Sequence, residues 1–169
     1  MLHPMVLQLR FTRSEFRRAL EGVSDADAQK RIMPMNCISW SVGHLAWQEQ
    51  RYWLHFAQGQ MPLPEIQEQY AFGVPGSTPN LKSVWSAWEQ ITRAADPWLD
   101  QLTVPKLQEH VMKDGKETQF IYGSLLQRVI YHYWYHTGVN LAIRQMLGHT
   151  GLPYFVGDID GEAPYTPEK

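Results

Sequence analysis

The amino-acid sequence predicts an all-α protein folded as a single four-helix bundle. Four segments place apolar residues at spacings of three and four, the period of a helix with one buried face. Stretches rich in proline or glycine separate these segments. A chain of 169 residues forms one ordinary domain with enough buried surface for a full core. Long helices joined by long connections pack most simply as a bundle.

The first segment predicts an amphipathic helix that ends near Gly22. Its buried stripe consists of Val6, Leu9, Arg13, Phe16 and Leu20. The other side carries Arg10, Arg17, Arg18 and Glu21. We interpret this arginine cluster as a solvated face rather than a phosphate site.

The second segment, "SWSVGHLAWQEQRYWLHFAQG", predicts a helix of about 20 residues. Asn36 or Ser39 is suited to cap its start, and Gly59 is suited to end it. Residues 60–80 contain four prolines and two glycines and predict a long loop, with a short helical turn around residues 65–70. Loops of this length in compact domains are often functional.

The third helix is predicted to begin at Thr78, a capping residue that precedes Pro79. Its apolar stripe consists of Leu81, Trp85, Trp88, Ile91, Ala95, Trp98 and Leu102. Pro97 interrupts this stripe, which predicts either a kink or a new helix start with Asp96 as its cap.

Asp114-Gly115 lies between two short alternating runs and predicts a small hairpin or an irregular loop before the last helix. The fourth helix is predicted from about Ser124 to Leu147, with Gly148 as its stop. The bundle therefore occupies residues 1–150. Residues 151–169 form a Pro/Gly-rich tail that we expect to pack on the bundle or on a partner subunit through its aromatic residues, which are Tyr154, Phe155 and Tyr165.

Composition excludes several functional classes. The 15 basic and 17 acidic residues give a net charge of −2, so neither nucleic acid nor a membrane surface is an expected partner. The sequence has no apolar run of the roughly 20 residues that span a bilayer, and its start has no signal-peptide pattern, which predicts a cytoplasmic protein. A single cysteine excludes a disulfide framework and a cysteine-rich zinc site.

The histidines are the candidate metal ligands. His132 and His136 lie one turn apart in the middle of the buried stripe of the fourth helix, and burying imidazoles without partners costs about 1 to 3 kcal/mol each. The HxxxH spacing suits a metal but is a weak motif by itself. His44, on the second helix, follows Gly43, a residue that favours close approach of another group. Three imidazoles from two helices would hold a divalent ion and leave a coordination position open.

Other reactive residues are less informative. Cys37 precedes His44 by seven residues and could be a nucleophile, although a lone cysteine in an apolar context is more often inert packing. Glu49 shares the helix of His44 but lies on a different angular face. Glu65 and Glu68 could reach the site only if the long loop folds over it. No general base or other catalytic residue can be assigned.

The motifs "SWSVGHLAWQEQRYW" and "IYHYWYHTGVNLAIRQMLG" resemble the DinB-like (YfiT-like) superfamily over residues 1–150. The resemblance implies an up-up-down-down four-helix bundle, often a homodimer, with a divalent ion, nickel or zinc, bound by three histidines. The matching residues here are His44, His132 and His136. Asn140 corresponds to a polar residue that orients a ligand or supports the histidines.

The resemblance also implies a chemistry, either a metal-dependent hydrolase or an S-transferase that uses a small thiol such as bacillithiol or mycothiol. In both cases the substrate is a small molecule, and an open metal position activates water or the thiol. The alternative is a non-catalytic helical domain that binds a small apolar ligand or a partner, with a structural ion or none. An open coordination position would distinguish the enzyme from the non-catalytic domain, because a fourth protein ligand completes the coordination of a structural ion.

Overall fold

The computed structural model describes residues 2–113, 115–154 and 156–167. Four long helices form its framework, as predicted. They are α1 (Pro4–Ala19), α3 (Ile38–Glu49), α5 (Leu81–Leu99) and α7 (Tyr122–Met146). Four short helices lie in the connections and the tail, namely α2 (Asp25–Ala28), α4 (Pro64–Tyr70), α6 (Val104–Gln108) and α8 (Ile159–Glu162). No helix in these ranges is long and apolar enough to cross a bilayer.

The helix containing His44 changes its winding partway along. After Glu49 it continues as a π-helical segment, Gln50–Phe56. The helix ends at Gly59, as predicted, and Gly59 adopts the left-handed backbone conformation of a helix stop, with a φ of 68°. The predicted caps Asn36 and Ser39 were wrong, because Cys37 occupies the N-cap position and its side chain makes no capping hydrogen bond. The sequence pattern did not predict the π-helical turn, a feature often found at functional sites.

Helix α5 corrects two further predictions. Its N-cap is Asn80 rather than Thr78, and the Asn80 side chain accepts a hydrogen bond from the Ser83 amide at 3.1 Å. Pro97 lies in the last turn of a continuous helix, where it removes one amide donor without ending the helix. The helix therefore does not restart at Asp96, and the Asp96 carboxylate instead binds Arg13.

The predicted hairpin is present between α6 and α7. Strands β1 (His110–Lys113) and β2 (Lys116–Ile121) pair antiparallel, with Lys113 opposite Lys116. Gly115 adopts a φ of 73°, as a tight two-residue turn requires, and its turn partner Asp114 lies outside the described residues. The hairpin contacts the π-helical segment and the start of α7.

Contacts at the two ends of the bundle give the helix directions. At one end Asp27, which follows α1, contacts His149, which follows α7. At the same end Asp25 accepts a hydrogen bond from the first amide of α5, that of Leu81. At the other end Trp98, late in α5, stacks on Trp53 of the π-helical segment. Helices α1 and α7 therefore run one way and α3 and α5 the other, an up-down-down-up order in place of the predicted up-up-down-down order.

The tail lies along α1. Ala163 is fully buried, and its carbonyl accepts a hydrogen bond from the Gln8 side chain at 2.6 Å. The Gly157 amide donates to Glu15 at 2.7 Å. Tyr154 and Tyr165 do not pack on the bundle, since their exposed fractions are 91% and 90%, and their packing on a partner subunit stays a prediction; Phe155 lies outside the described residues. Backbone groups rather than rings make these contacts.

A buried ion pair and the hydrogen bonds that extend it connect all four long helices. The Arg13 guanidinium donates to both carboxylate oxygens of Glu49, at 2.7 and 2.6 Å, and both side chains are shielded from solvent. The Tyr133 hydroxyl donates to the same carboxylate at 2.9 Å and accepts from the Trp88 indole at 2.6 Å. Burial, together with the charge of Glu49, raises the pKa of Tyr133 well above its usual value, so the hydroxyl keeps its proton.

The other arginines of α1 lie on a partly solvent-exposed face, as the sequence predicted. Each is paired with a carboxylate, Arg10 with Asp100, Arg17 with Glu89 and Arg18 with Glu15. Two of these pairs link α1 to α5 or to its C-cap residue, Asp100. These pairs connect α1 to the region of α5, although exposed pairs contribute little free energy individually.

Replacing Arg13 with methionine is expected to lower the free energy of unfolding by about 3 to 5 kcal/mol, because it leaves the Glu49 carboxylate buried with one donor. Urea unfolding measures this loss. The matched control is Arg10→Gln on the exposed pair with Asp100, which is expected to cost about 0 to 1 kcal/mol. Equal losses in the two variants would contradict this account.

Candidate metal centre

The antiparallel packing of α3 against α7 brings His44 to His132 and His136. The ring centroid of His44 lies 5.0 Å from that of His132 and 5.4 Å from that of His136. The two rings on α7 lie 4.6 Å apart. One nitrogen from each residue lies within 4.8 Å of the other two. The predicted convergence of the three imidazoles is confirmed.

The spacing of the nitrogens suits a divalent ion. The Nε2 atoms of His132 and His136 are 3.0 Å apart. Two histidine nitrogens bound to one ion at about 2.0 to 2.1 Å, with an angle between 90° and 109°, lie about 2.8 to 3.4 Å apart. Within the described ranges no fourth His, Cys, Asp or Glu joins the cluster. The donor set therefore fits an ion with room for a further, non-protein ligand.

A backbone carbonyl fixes the orientation of the His44 ring. The Nδ1 atom of His44 lies 2.7 Å from the carbonyl oxygen of Tyr70. A carbonyl only accepts, so Nδ1 carries the proton and Nε2 keeps its lone pair for a metal. Hydrogen bonding of the second ring nitrogen is the usual way in which a protein orients a metal-binding histidine.

The surroundings of the cluster keep its imidazoles neutral. Burial lowers the pKa of His44, and burial together with the charges of His44 and Arg128 lowers the pKa of His132 to about 4. Burial and the two neighbouring imidazoles lower the pKa of His136 well below its usual value. Because a metal binds the neutral imidazole, all three side chains are in the binding form at neutral pH.

Aromatic rings enclose His44. Trp40 and Trp47 stack on its two sides with centroids 4.7 and 5.1 Å away. The Trp47 indole donates to Gln67 of α4 at 2.7 Å, which fastens the loop helix over this side of the cluster. The long loop between α3 and α5 therefore belongs to the site. This apolar wall excludes water and strengthens electrostatic interactions inside it.

Gly43 makes the approach of α4 possible. A Cβ atom at this position would lie 2.7 Å from the Tyr70 ring, closer than van der Waals contact allows. The sequence had indicated that something approaches Gly43 closely, and the Tyr70 ring is that group. The same residue supplies the carbonyl that holds His44. Because Gly43 has no side chain, Tyr70 can lie close enough for its carbonyl to orient the His44 ring.

The cluster is more open on the side of α7. His132 is half-buried, whereas the exposed fractions of His44 and His136 are 5% and 8%. The Tyr135 ring lies 5.1 Å from the ring of His136 and is 64% exposed, so it borders this opening. The α7 side is therefore the more solvent-accessible side of the cluster.

The other reactive residues singled out in the sequence lie apart from the cluster. Glu49 is bound by Arg13, which agrees with its predicted position on another face. Glu65 and Glu68 are exposed on α4. The Cys37 thiol is buried against Ser39 and the Ser77 carbonyl, each at 3.3 Å.

Asn140 differs from these residues. It follows His136 by one turn and is fully buried, and neither its amide nitrogen nor its amide oxygen has a hydrogen-bond partner among the described residues. A buried amide without partners is costly, which points to a ligand or to another bound group.

Sequence reasoning missed the residues that surround His44. Trp40 and Trp47 stand four before and three after it, and this spacing could have shown that they share its side of the helix. The carbonyl of Tyr70 left no signal, because the chain must fold back over α3 before the two meet.

Comparison with known families agrees with this geometry. The model of the DinB superfamily matches residues 8–139, which is more than half of the chain and includes all three histidines. The protein therefore belongs to the DinB superfamily of helical proteins. A search of curated proteins gave no match.

Gly43→Ala is expected to lower the free energy of unfolding by about 1 to 3 kcal/mol, since the added methyl group overpacks against Tyr70. Gly138→Ala on α7 is the matched control, because its Cβ would meet nothing within 4 Å. Alanine there is expected to stabilise the helix by about 0.5 to 1 kcal/mol. Thermal or urea unfolding measures both changes, and a gain in both variants would show that Tyr70 does not constrain position 43.

Proposed function

We propose that this protein is a metal-dependent enzyme, a hydrolase or a low-molecular-weight-thiol S-transferase, that binds a divalent ion through His44, His132 and His136. The observation that carries the proposal is the convergence of three neutral imidazoles, from two facing helices, within 4.8 Å of one another. The absence of a fourth candidate ligand among the described residues favours a catalytic ion over a structural one. Nickel and zinc both suit nitrogen ligands.

An ion in this position would lower the pKa of a bound water or thiol and so supply a nucleophile at neutral pH. The chain's own residues prepare the site for that chemistry. The Tyr70 carbonyl fixes the tautomer and angle of His44, and the stacked Trp40 and Trp47 rings exclude water from one side. The substrate, a small molecule, enters beside Tyr135. Bacillithiol or mycothiol would be the thiol of a transferase.

Asn140 supports the same site in this proposal. Its buried amide can donate one hydrogen bond and accept another, either with a ligand of the ion or with a water that reaches the histidines. The Nδ1 atoms of His132 and His136 are also buried without a partner among the described residues. These groups together form a polar lining in an otherwise apolar region.

Metal analysis of protein purified without a histidine tag tests the ligand set. The wild-type chain is expected to hold about one nickel or zinc ion, and His44→Ala, His132→Ala and His136→Ala are each expected to lose most of it. His55→Ala is the control, because this residue lies exposed near the end of the same helix. A variant of the cluster that retains a full complement of metal would overturn the proposal.

The variant Asn140→Leu tests whether Asn140 supports metal binding or serves only in packing. Removing a buried amide that has no hydrogen-bond partner among the described residues is expected to leave the free energy of unfolding unchanged or to raise it by about 1 kcal/mol. Metal affinity, measured by competition with a chelator, is expected to fall about 10-fold or more. A loss of stability with unchanged metal affinity would assign Asn140 to packing alone.

A further inference from the structure

Two arginines near the histidine cluster have no anionic partner in the part of the chain that the structure describes. They are Arg51, in the π-helical segment that continues α3, and Arg128, on α7. Neither forms a hydrogen bond or an ion pair within residues 2–113, 115–154 and 156–167, where Arg51 lies over aromatic rings and Arg128 lies over Phe120 and interacts electrostatically with His132. Every arginine of α1, by contrast, is bound to a carboxylate.

Aromatic rings surround the Arg51 guanidinium, and its N–H groups make no hydrogen bond with the described residues. Its guanidinium lies over three rings, with distances from Cζ of 5.3 Å to Trp47, 5.7 Å to Tyr52 and 5.2 Å to Phe56. Rings that stack on a guanidinium leave its N–H edges free. The side chain is half-buried, and a partly desolvated cation gains from an anion at those edges.

Arg51 is linked to the cluster through one ring. Trp47 stacks on His44 with centroids 5.1 Å apart, and the Arg51 guanidinium lies over the same indole. An anion bound at Arg51 would therefore lie beside a ring that contacts a proposed metal ligand.

The directions of the helices bring Arg128 to the same end of the cluster. Arg51 follows His44 by seven residues, or about 10 Å of helix, and Arg128 precedes His132 by four, or about 6 Å. Helices α3 and α7 run in opposite directions, so a step forward from His44 and a step backward from His132 lead toward one end of the bundle. Arg128 is exposed and lies over Phe120 of the hairpin, 5.7 Å from its ring.

We propose that Arg51 and Arg128 form an anion-binding subsite, so that the substrate or thiol acting at the histidines carries a carboxylate or phosphate group one short chain away from its reacting group. This inference rests on the proposed function, because it takes the histidine cluster as the place of reaction. Guanidinium groups match carboxylate and phosphate oxygens in geometry and in charge.

Paired thiol probes test the subsite on the zinc-loaded protein. ω-Mercaptohexanoate and ω-mercaptohexanol share one thiol and one chain and differ in the terminal charge. Their six-carbon chain matches the roughly 6 to 10 Å of helix between the arginines and the histidines. Isothermal titration is expected to show the carboxylate probe binding about tenfold or more tightly than the neutral one.

Arg51→Gln and Arg128→Gln are each expected to reduce this preference severalfold while leaving the affinity for the neutral probe and the zinc content unchanged. Arg93→Gln is the matched control, an exposed arginine on α5 that also has no partner among the described residues; it is expected to keep the full preference. Arg51→Lys retains the charge without the planar fork and is expected to keep part of the preference, which preserves the test should Arg51→Gln unfold.

Failure of the subsite and failure of the proposed function give different results. Equal affinity for the two probes in zinc-loaded wild-type protein would overturn the subsite alone. An equal loss of preference in Arg93→Gln would also overturn it, by showing that general charge is responsible. A wild-type protein that takes up no zinc at the histidines would overturn both proposals.

Discussion

The hydrogen bond between the His44 ring and the Tyr70 carbonyl is the interaction on which the candidate site depends. It joins the helix that carries a proposed ligand to a loop helix that lies 26 positions later in the chain. It also selects the tautomer of His44, because a carbonyl accepts and cannot donate. Without it the imidazole would be free to turn between its two tryptophan neighbours, and the geometry shared with α7 would be lost.

The charged residues divide into two groups with separate roles. Arg13 and Glu49 neutralise each other within the bundle and join α1 to α3, and the hydrogen bond from Tyr133 to Glu49 adds α7. This pairing occupies the one carboxylate on α3. The histidine cluster is thereby left with neutral nitrogen donors, while the unpaired arginines Arg51 and Arg128 face no internal acid among the described residues.

Predictions made from periodicity succeeded where one helix supplies all the information. The apolar stripes gave the four long helices, and the glycines at 59 and 148 gave two of their ends. Predictions of caps failed at Asn36 and Thr78, since several polar residues near a helix start can serve equally and the neighbouring packing selects one of them. The carboxylate partners of Arg10 and Arg17 were not predicted, because they lie 90 and 72 positions further along the chain.

The sequence by itself determined the helical class, the HxxxH pair on one face of the last helix and the identity of His44 as a third nitrogen donor, since these follow from local spacing and from a recognisable family motif. Only the tertiary structure decided the directions of the helices, the π-helical segment, the packing of Tyr70 against Gly43 and the ion-pair partners of the charged side chains. The physical reason is that spacing fixes which side of a helix a residue occupies, whereas packing between distant segments fixes what that side meets.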